Sequence, residues 1–236
     1  MTPWAITRAA ADAAEQCEAL QKAGVSAFAL PCVERVLRPV AEWRPDGYGV
    51  VLLTSAAAVS AVRSTLSTFS GALAALSPHT SAALRASGLS PTLEAEGGAV
   101  ALAQAVVAHV KQLGVPAPAF WYPTSDVGHR AEEQTAAVAL LEPLGPVTRQ
   151  VVYETRAPEG LSDAVGRLPQ RYHLFFASPS AVEHFLAARA PRAPERVACW
   201  GHSTFLAARA HFPMAVEVER HRPLAASLAE QEQHHV

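Results

Sequence analysis

Short apolar runs alternate with amphipathic stretches along the sequence, and this alternation restricts the fold more strongly than any short motif. The runs 49–53 and 172–177 have the length of strands, and the stretches 56–69 and 179–189 after them have helix spacing. Strands that alternate with helices predict an α/β fold with parallel sheets and right-handed crossovers. The runs lack strict polar alternation, which is typical of sheets covered by helices on both faces.

The same patterns predict further elements along the chain. Pro31, inside the apolar run 26–36, indicates an edge strand or a bend. Turn residues at 44–47 and a Pro-rich break at 115–119 separate neighbouring elements. The other predicted strands are 4–8, 71–77, 91–96, 120–124, 147–158, 196–201 and 214–219, and the other helices are 9–23, 78–88, 99–114, 128–142, 161–168, 202–210 and 223–233.

Part of the sequence occurs twice, in the same order and at nearly constant spacing. The aligned segments are 54–59 with 177–182, 78–85 with 202–209, and 89–96 with 212–219. A looser similarity relates 4–8 and 24–34 to 120–124 and 145–154. Alanine-rich segments match easily by chance, so the inference depends on the shared order and spacing. These predict a duplicated α/β unit.

Length and charge narrow the classes of function. The 236 residues, half of them hydrophobic, suffice for one large domain or two small ones. A formal net charge of −2 without a basic stripe argues against nucleic-acid binding. No apolar run has the length of a bilayer span, and the first residues lack a signal-peptide pattern. We therefore expect a cytoplasmic protein that does not enter a membrane.

Cysteine and histidine spacing gives no sign of a metal centre. Cys17, Cys32 and Cys199 form no disulfide framework, and we expect buried free thiols, as suits a reducing compartment. No two histidines have the spacing of metal ligands, apart from His234 and His235 near the end of the chain. Phosphate-loop, nucleophile-elbow and zinc-protease motifs are absent from the sequence.

Small polar residues stand where predicted strands give way to helices, at Ser55, Thr80, Ser178 and 201–204. Such points lie at the carboxyl ends of parallel strands, where ligands bind, and the first N–H groups of the helices attract anions. Serine and threonine are also ordinary helix caps. Two interpretations therefore stay open, local capping or a ligand cleft between two lobes that holds a polyanion.

Tyr153 lies in the extended run 147–158, where the chain passes from one half to the other. A tyrosine in a strand is most often a packing residue. At a cleft between domains, its hydroxyl could instead donate a hydrogen bond or a proton to a leaving oxygen. The residues alone leave both roles open.

The chain resembles the uroporphyrinogen-III synthase family in a series of short motifs with the family's order and spacing. They are "ITR" (6–8), "LLTSAAAV" (52–59), "SPHTSAALRASGL" (77–89), "WYPTSDVGHR" (121–130), "VVYETRAP" (151–158), "FFASPSAV" (175–182) and "CWGHSTFLAARA" (199–210). The resemblance implies an α/β fold of two lobes, each a flavodoxin-like parallel sheet flanked by helices, joined by a two-stranded linker.

The family's arrangement also implies domain boundaries. One lobe would contain residues 1–36 and 157–236, and the other would contain residues 41–147. Residues 37–40 and 148–156 would be the linker strands. The duplicated unit would then be spread across both lobes, with one polar break from each lobe at the cleft.

The resemblance implies a cyclising lyase of heme biosynthesis. Its substrate would be hydroxymethylbilane, a linear tetrapyrrole with carboxylate arms, which closes to uroporphyrinogen III with loss of water and inversion of ring D. Positioning can supply much of such a barrier. We expect no cofactor, no metal, no nucleic-acid or membrane partner, and a monomer.

Site residues follow from the resemblance by position. Tyr153 is the catalytic candidate, because it matches the family's tyrosine in the returning linker strand. The substrate-binding candidates are Arg8, Ser55, Ala56, Arg130, Ser178, Pro179, His202, Ser203 and Thr204.

The sequence departs from the family pattern at three positions. Ala57, Ser77 and Ala177 stand where the family commonly has Asn, Gly and Thr. These departures keep open a non-catalytic two-lobed protein that binds tetrapyrroles or regulates on the same scaffold, since a fold does not fix a function. A third hypothesis is an unrelated two-domain α/β protein, such as a solute-binding module. Turnover of hydroxymethylbilane would distinguish the synthase from both.

Overall fold

The structure is a computed structural model, and it describes residues 2–39, 47, 49–114, 118–219 and 222–233. Within these ranges it leaves out the side chains of Arg130, Glu232 and Gln233. The predicted turn at 44–47 and the Pro-rich break at 115–119 lie largely outside the described residues.

The alternation of strands and helices is confirmed. The strands are β1 (Trp4–Ile6), β2 (Ala27–Ala29), β3 (Glu34–Leu37), β4 (Val50–Leu53), β5 (Ala72–Leu76), β6 (Leu93–Ala95), β7 (Phe120–Ser125), β8 (Val147–Arg156), β9 (His173–Phe176), β10 (Arg196–Trp200) and β11 (Val216–Val218). The helices are α1 (Ala10–Lys22), α2 (Ala56–Leu66), α3 (His79–Ala86), α4 (Ala99–Leu113), α5 (Asp126–Arg130), α6 (Glu132–Leu141), α7 (Leu161–Gly166), α8 (Pro179–Ala187), α9 (His202–Arg209) and α10 (Leu224–Gln233).

The chain divides into two compact units. Unit 1 contains Met1–Glu34 and Arg156–Val236, and unit 2 contains Arg35–Thr155. The chain thus leaves unit 1 once and returns to it once. The two units are described separately below.

Unit 1 is built on a parallel five-stranded sheet with the order β11-β10-β9-β1-β2. Trp4, Ile6 and Phe175 pack on one face with the apolar sides of α1 and α10. Ala5 and Phe176 pack on the opposite face with α7, α8 and α9. Because both faces are covered, every residue of β1 and β9 is buried, which explains the missing polar alternation.

Unit 2 is built on a six-stranded sheet with the order β3-β8-β7-β4-β5-β6. Val50 and Leu52 pack with α4 and α6 on one face, whereas Val51 and Leu53 pack with α2 and α3 on the other. Strand β8, which contains the predicted linker 148–156, lies between β3 and β7 in this sheet.

The sheets bear out the internal repeat seen in the sequence. Under the sequence alignment, β6-β5-β4-β7-β8 correspond to β11-β10-β9-β1-β2, and the two sheets have this same spatial order. The strand registers agree as well. In unit 2, Val50 pairs with Phe120 and Ala72. The residues aligned with these three form the same pairs in unit 1, where His173 pairs with Trp4 and Arg196. The two units differ in where the chain enters the sheet. When the strands of each unit are numbered in chain order, those of unit 1 lie side by side in the order 2-1-3-4-5, as in flavodoxin. Those of unit 2, with β3 left aside, lie in the order 3-2-1-4-5.

Two predicted elements are divided in the structure. The predicted strand 26–36 ends at Ala29 and resumes as β3, because Pro31 cannot continue a ladder of backbone hydrogen bonds. The first part, β2, is an edge strand, as Pro31 indicated. The predicted helix 128–142 is interrupted at Ala131, whose extended backbone (φ −69°, ψ 134°) separates α5 from α6.

Within the described ranges, no helix combines the length and the apolar character that crossing a bilayer requires.

Candidate functional site

Each sheet has a point where the strand order reverses, between β1 and β9 in unit 1 and between β4 and β7 in unit 2. Ligands of doubly wound sheets bind beside the carboxyl ends of the strands at such points. Arg8 and Ser178 follow β1 and β9, while Ser55 follows β4 and Ser125 ends β7. Each unit therefore presents predicted site residues at its own reversal point.

Ser55 and Tyr153 meet at the reversal point of unit 2. Ser55 Oγ lies 3.1 Å from the Tyr153 hydroxyl oxygen, and it also accepts a hydrogen bond from the Ala58 N–H at 3.1 Å. Ser55 is the N-cap of α2, so the helix fixes the serine hydroxyl, which in turn fixes the phenol. Tyr153 is only 8% exposed. The structure brings together the catalytic candidate and one of the binding candidates.

Further hydroxyl groups surround this pair. Ser125 caps α5 by accepting from the Gly128 N–H at 2.8 Å, and Ser125 is the register partner of Tyr153 across β7 and β8. The Tyr122 hydroxyl donates to Thr54 Oγ1 at 3.4 Å. Burial raises the pKa of Tyr122 to about 12, and the charge of Glu133 contributes to the increase, partly offset by the Thr54 hydrogen bond. Tyr122 is therefore a protonated donor at neutral pH.

A pocket of about 260 Å³ opens beside the Ser55–Tyr153 pair. It lies at the carboxyl ends of β4, β5, β7 and β8. The residues that line it are Thr54, Ser55, Leu76, Gly97, Gly98, Ala99, Thr124, Ala131, Glu133, Gln134 and Tyr153. We call it the unit-2 pocket.

One wall of the unit-2 pocket is the start of α4. The Glu133 carboxylate, on α6, accepts a hydrogen bond from the Ala99 N–H at 2.7 Å. Gly98 makes room for this contact, because a Cβ at that position would collide with Glu133 Oε1. A carboxylate of the protein thus occupies the anion-attracting end of α4.

In unit 1, Ser178 and Pro179 start α8. Ser178 Oγ accepts from the Ala181 N–H at 3.3 Å, as Ser55 does in unit 2, and Pro179 stands at the first helical position. Both residues are half-buried.

Arg8 is held by three partners. Its guanidinium donates to Gln16 Oε1 at 3.1 Å, pairs with Asp12 at 3.4 Å and lies 5.6 Å from the ring centre of Trp200. The side chain keeps 30% of its surface exposed. These contacts fix a cation at the carboxyl end of the unit-1 sheet without burying it.

The sequence matches the family model of uroporphyrinogen-III synthase HemD over residues 14–230. The chain belongs to the uroporphyrinogen-III synthase family. Members of the family are cyclising lyases of heme biosynthesis, and the expected enzyme class is thereby confirmed. No curated protein is significantly similar to this chain.

Several solved structures share the fold at low sequence identity, among them the following two. A mutant uroporphyrinogen III synthase from the extremely thermophilic bacterium Thermus thermophilus is 14% identical, with a TM-score of 0.60 over 99% of this chain and 98% of that chain. Uroporphyrinogen-III synthetase from Helicobacter pylori is 16% identical, with a TM-score of 0.64 over 99% of this chain and 100% of that chain. The predicted fold class is confirmed.

The remaining binding candidates of this synthase have diverse surroundings. His202, at the start of α9, is exposed, with Nδ1 3.2 Å from Glu217 Oε2. Ser203 is exposed as well, whereas Thr204 is 1% exposed and lies in the core. Their part in binding stays a prediction.

Ala56 is the exposed first residue of α2. Arg130 ends α5, and its side chain lies outside the described part of the chain.

Sequence reasoning missed Glu133 and Gln134 in the unit-2 pocket and Trp200 beside Arg8. Gln134 Oε1 accepts from Thr124 Oγ1 at 2.6 Å. The Gly97-Gly98 pair before α4 was a usable signal, because adjacent glycines mark a close approach of another group. Nothing in the sequence pattern distinguishes Glu133 from its neighbour Glu132.

Cys17, Cys32 and Cys199 are free and buried, as predicted. Among the described residues, no group of three or more His, Cys, Asp or Glu side chains is arranged to hold a metal ion.

Proposed function

We propose that this uroporphyrinogen-III synthase uses Tyr153 as the proton donor for the hydroxyl group that leaves hydroxymethylbilane. The observation that carries the proposal is the 3.1 Å contact between Ser55 Oγ and the Tyr153 hydroxyl, at the reversal point of the unit-2 sheet. A phenol holds its proton at neutral pH and can donate it to a leaving oxygen.

The proton moves from the Tyr153 hydroxyl to the substrate hydroxyl as the C–O bond breaks. The bonding electrons leave with water, and the neighbouring pyrrole nitrogen supplies electrons to form an azafulvenium cation. The substituted carbon of the terminal pyrrole attacks this cation to give a spiro intermediate. That intermediate fragments and recloses with ring D inverted, and the proton lost when the last pyrrole regains aromaticity restores the phenol.

The substrate's carboxylate arms need fixed donors more than a dense cationic cage. Arg8 offers a guanidinium held by Gln16, Asp12 and Trp200, and the capped start of α8 at Ser178 offers backbone N–H groups. We propose that these groups of unit 1 bind carboxylate arms. A sparse cationic set also avoids opposing the azafulvenium charge.

We further propose that the lobes are residues 1–36 with 157–236 and residues 41–147, joined by linkers at 37–40 and 148–156. Leu37 is the last residue of β3, and residue 40 lies outside the described residues. The crossing points of the chain, at Glu34–Arg35 and Thr155–Arg156, support this division.

The enzyme works as a cytoplasmic monomer without a cofactor. Because hydroxymethylbilane and uroporphyrinogen III with water have the same oxidation state, the reaction needs no redox cofactor. The three buried free thiols suit a reducing compartment such as the cytoplasm.

The test is a coupled assay in which hydroxymethylbilane is generated in the presence of the protein and the oxidised products are separated as type I and type III isomers. We expect type III product only when the protein is present. Type I product alone, together with tetrapyrrole binding, would support the non-catalytic binding protein instead.

A further inference from the structure

The unit-2 pocket contains a negative charge, which is unusual for a site whose substrate is a polyanion. Its polar lining consists of hydroxyls, one amide and the carboxylate of Glu133. Among the described side chains that line it, none is Lys, Arg or His. The pocket therefore repels a carboxylate arm and attracts a positive charge.

Local contacts hold the Glu133 carboxylate in place. Its Oε1 accepts from the Ala99 N–H at 2.7 Å, and the absence of a Cβ at Gly98 leaves room for it. Gly98 has an extended backbone with φ −142°, which any residue can adopt. Space for Glu133, and not backbone conformation, is what requires glycine there.

This arrangement changes how the start of α4 can be used. A helix start with free N–H groups would attract a substrate carboxylate, but here the first N–H of α4 already binds Glu133. A carboxylate arm would have to displace Glu133 to use the same donor. The start of α4 thus orients a negative charge within the unit-2 pocket.

We propose that Glu133 stabilises the azafulvenium cation electrostatically, so that the unit-2 pocket receives the reacting end of the substrate and not its carboxylate arms. The inference rests on the proposed function, since Tyr153 lines the same pocket and starts the reaction. Glu133 forms no bond to the substrate. The C–O bond breaks with its electrons leaving in water, and the positive charge left on the conjugated pyrrole and methylene carbon faces the carboxylate. A fixed charge placed where charge develops lowers the barrier without reorganisation.

Glu133 is exposed, so water screens its charge until the substrate displaces that water. The effect therefore belongs to the complex and should appear in turnover more than in substrate affinity. A purely structural role as a cap of α4 would appear in stability instead.

Glu133→Gln separates the two roles, because a glutamine Oε1 can still accept from the Ala99 N–H while the charge is lost. We expect kcat for type III product to fall about tenfold or more, with KM unchanged or lower and the melting temperature nearly unchanged. Glu132→Gln is the matched control, since Glu132 starts the same helix and does not line the pocket. It should keep the parental kcat.

Gly98→Ala gives a second measurement that leaves the carboxylate itself intact. The added Cβ displaces Glu133, so kcat should fall in the parent chain. In a Glu133→Ala background the collision is removed, and Gly98→Ala should cost little more.

The outcomes separate the two proposals. Type III product from the parent chain with an unchanged kcat in Glu133→Gln would overturn the role of Glu133 and leave the synthase activity intact. A folded parent chain that forms no type III product would overturn both. A lower kcat in Glu133→Gln and Gly98→Ala, with Glu132→Gln unaffected, would support the electrostatic role.

Discussion

Ser55 Oγ stands 3.1 Å from the hydroxyl oxygen of Tyr153, although the two residues are 98 positions apart in the chain. The serine also caps α2, so its position is set by the helix and not by the tyrosine. If the serine hydroxyl donates to Tyr153, the phenol proton is free to point at a substrate. Ser55 therefore caps α2 and also orients the hydroxyl of Tyr153, the proposed proton donor.

Tyr153→Phe should slow formation of type III product about 100-fold or more without abolishing it, because positioning of the substrate remains. The measurement is kcat from the coupled isomer assay. Tyr172→Phe is the control, since it also removes a buried tyrosine hydroxyl, one that donates to the Arg192 carbonyl in unit 1. Unchanged turnover in Tyr153→Phe would remove Tyr153 from the mechanism.

Ser55→Ala should lower both stability and turnover. Loss of the cap costs about 1 kcal/mol of unfolding free energy, and Ser178→Ala should cost a similar amount because Ser178 caps α8 in the same way. Ser55→Ala should have little further effect on kcat in a Tyr153→Phe background. Full additivity of the two kinetic effects would contradict the coupling of Ser55 to Tyr153.

Arg8→Gln should raise KM about tenfold or more and change kcat little, because it removes a charge-assisted contact to a carboxylate arm. Steady-state kinetics at fixed ionic strength would measure this. Arg222→Gln serves as the control, since Arg222 pairs with Glu230 on the surface of unit 1. An equal increase in KM for both variants would indicate only a loss of net positive charge.

Gly128→Ala should destabilise the protein by about 1–3 kcal/mol, because a Cβ there would lie 2.6 Å from both Thr124 Oγ1 and Gln134 Nε2. Gly166→Ala should be neutral or slightly stabilising, since a Cβ at Gly166 meets nothing within 4 Å. Chemical denaturation of the two variants measures the difference. Equal stability would show that the wall of the unit-2 pocket yields easily.

The buried thiols should resist alkylation at about pH 8. Burial raises the pKa of Cys32 and of Cys199 to about 12, and the charge of Glu217 adds to the shift at Cys199. The reactive thiolate is therefore scarce in the folded chain at that pH and becomes abundant only toward pH 12. All three cysteines should react in denaturant, and fast labelling of Cys32 in the folded chain would contradict its burial.

Strands and helices were predicted well from the sequence where a short residue pattern identifies them. The alternation of apolar runs and helix patterns indicated the order of strands and helices, and the repeated segments matched the registers of both sheets. Pro31 predicts an edge strand or a bend, and β2 is an edge strand. Ala131 was not recognised as a break, since nothing in its neighbourhood interrupts a helix pattern.

Helix caps were predictable from the sequence, whereas contacts between distant segments were not. Ser55 and Ser178 cap α2 and α8, as their positions before helix patterns indicated, because a cap is a neighbour of the helix that it starts. Their part in substrate binding stays a prediction. Glu133 was missed because its partner, the Ala99 N–H, is 34 residues away on another helix. Thr204 was found as a polar residue after a strand, but the structure buries it.

The sequence by itself determined the α/β class, the duplicated unit and the family of this protein. The α/β class follows from side-chain periodicity, which backbone geometry imposes over a few residues at a time. The duplicated unit and the family follow from the order and spacing of short motifs along the chain. Only the tertiary structure decided that Ser55 meets Tyr153 and that Glu133 occupies the start of α4. Strand order and register bring Ser55 to Tyr153, and the packing of α6 beside α4 brings Glu133 to Ala99. Both depend on packing across the whole of unit 2, which no local pattern encodes.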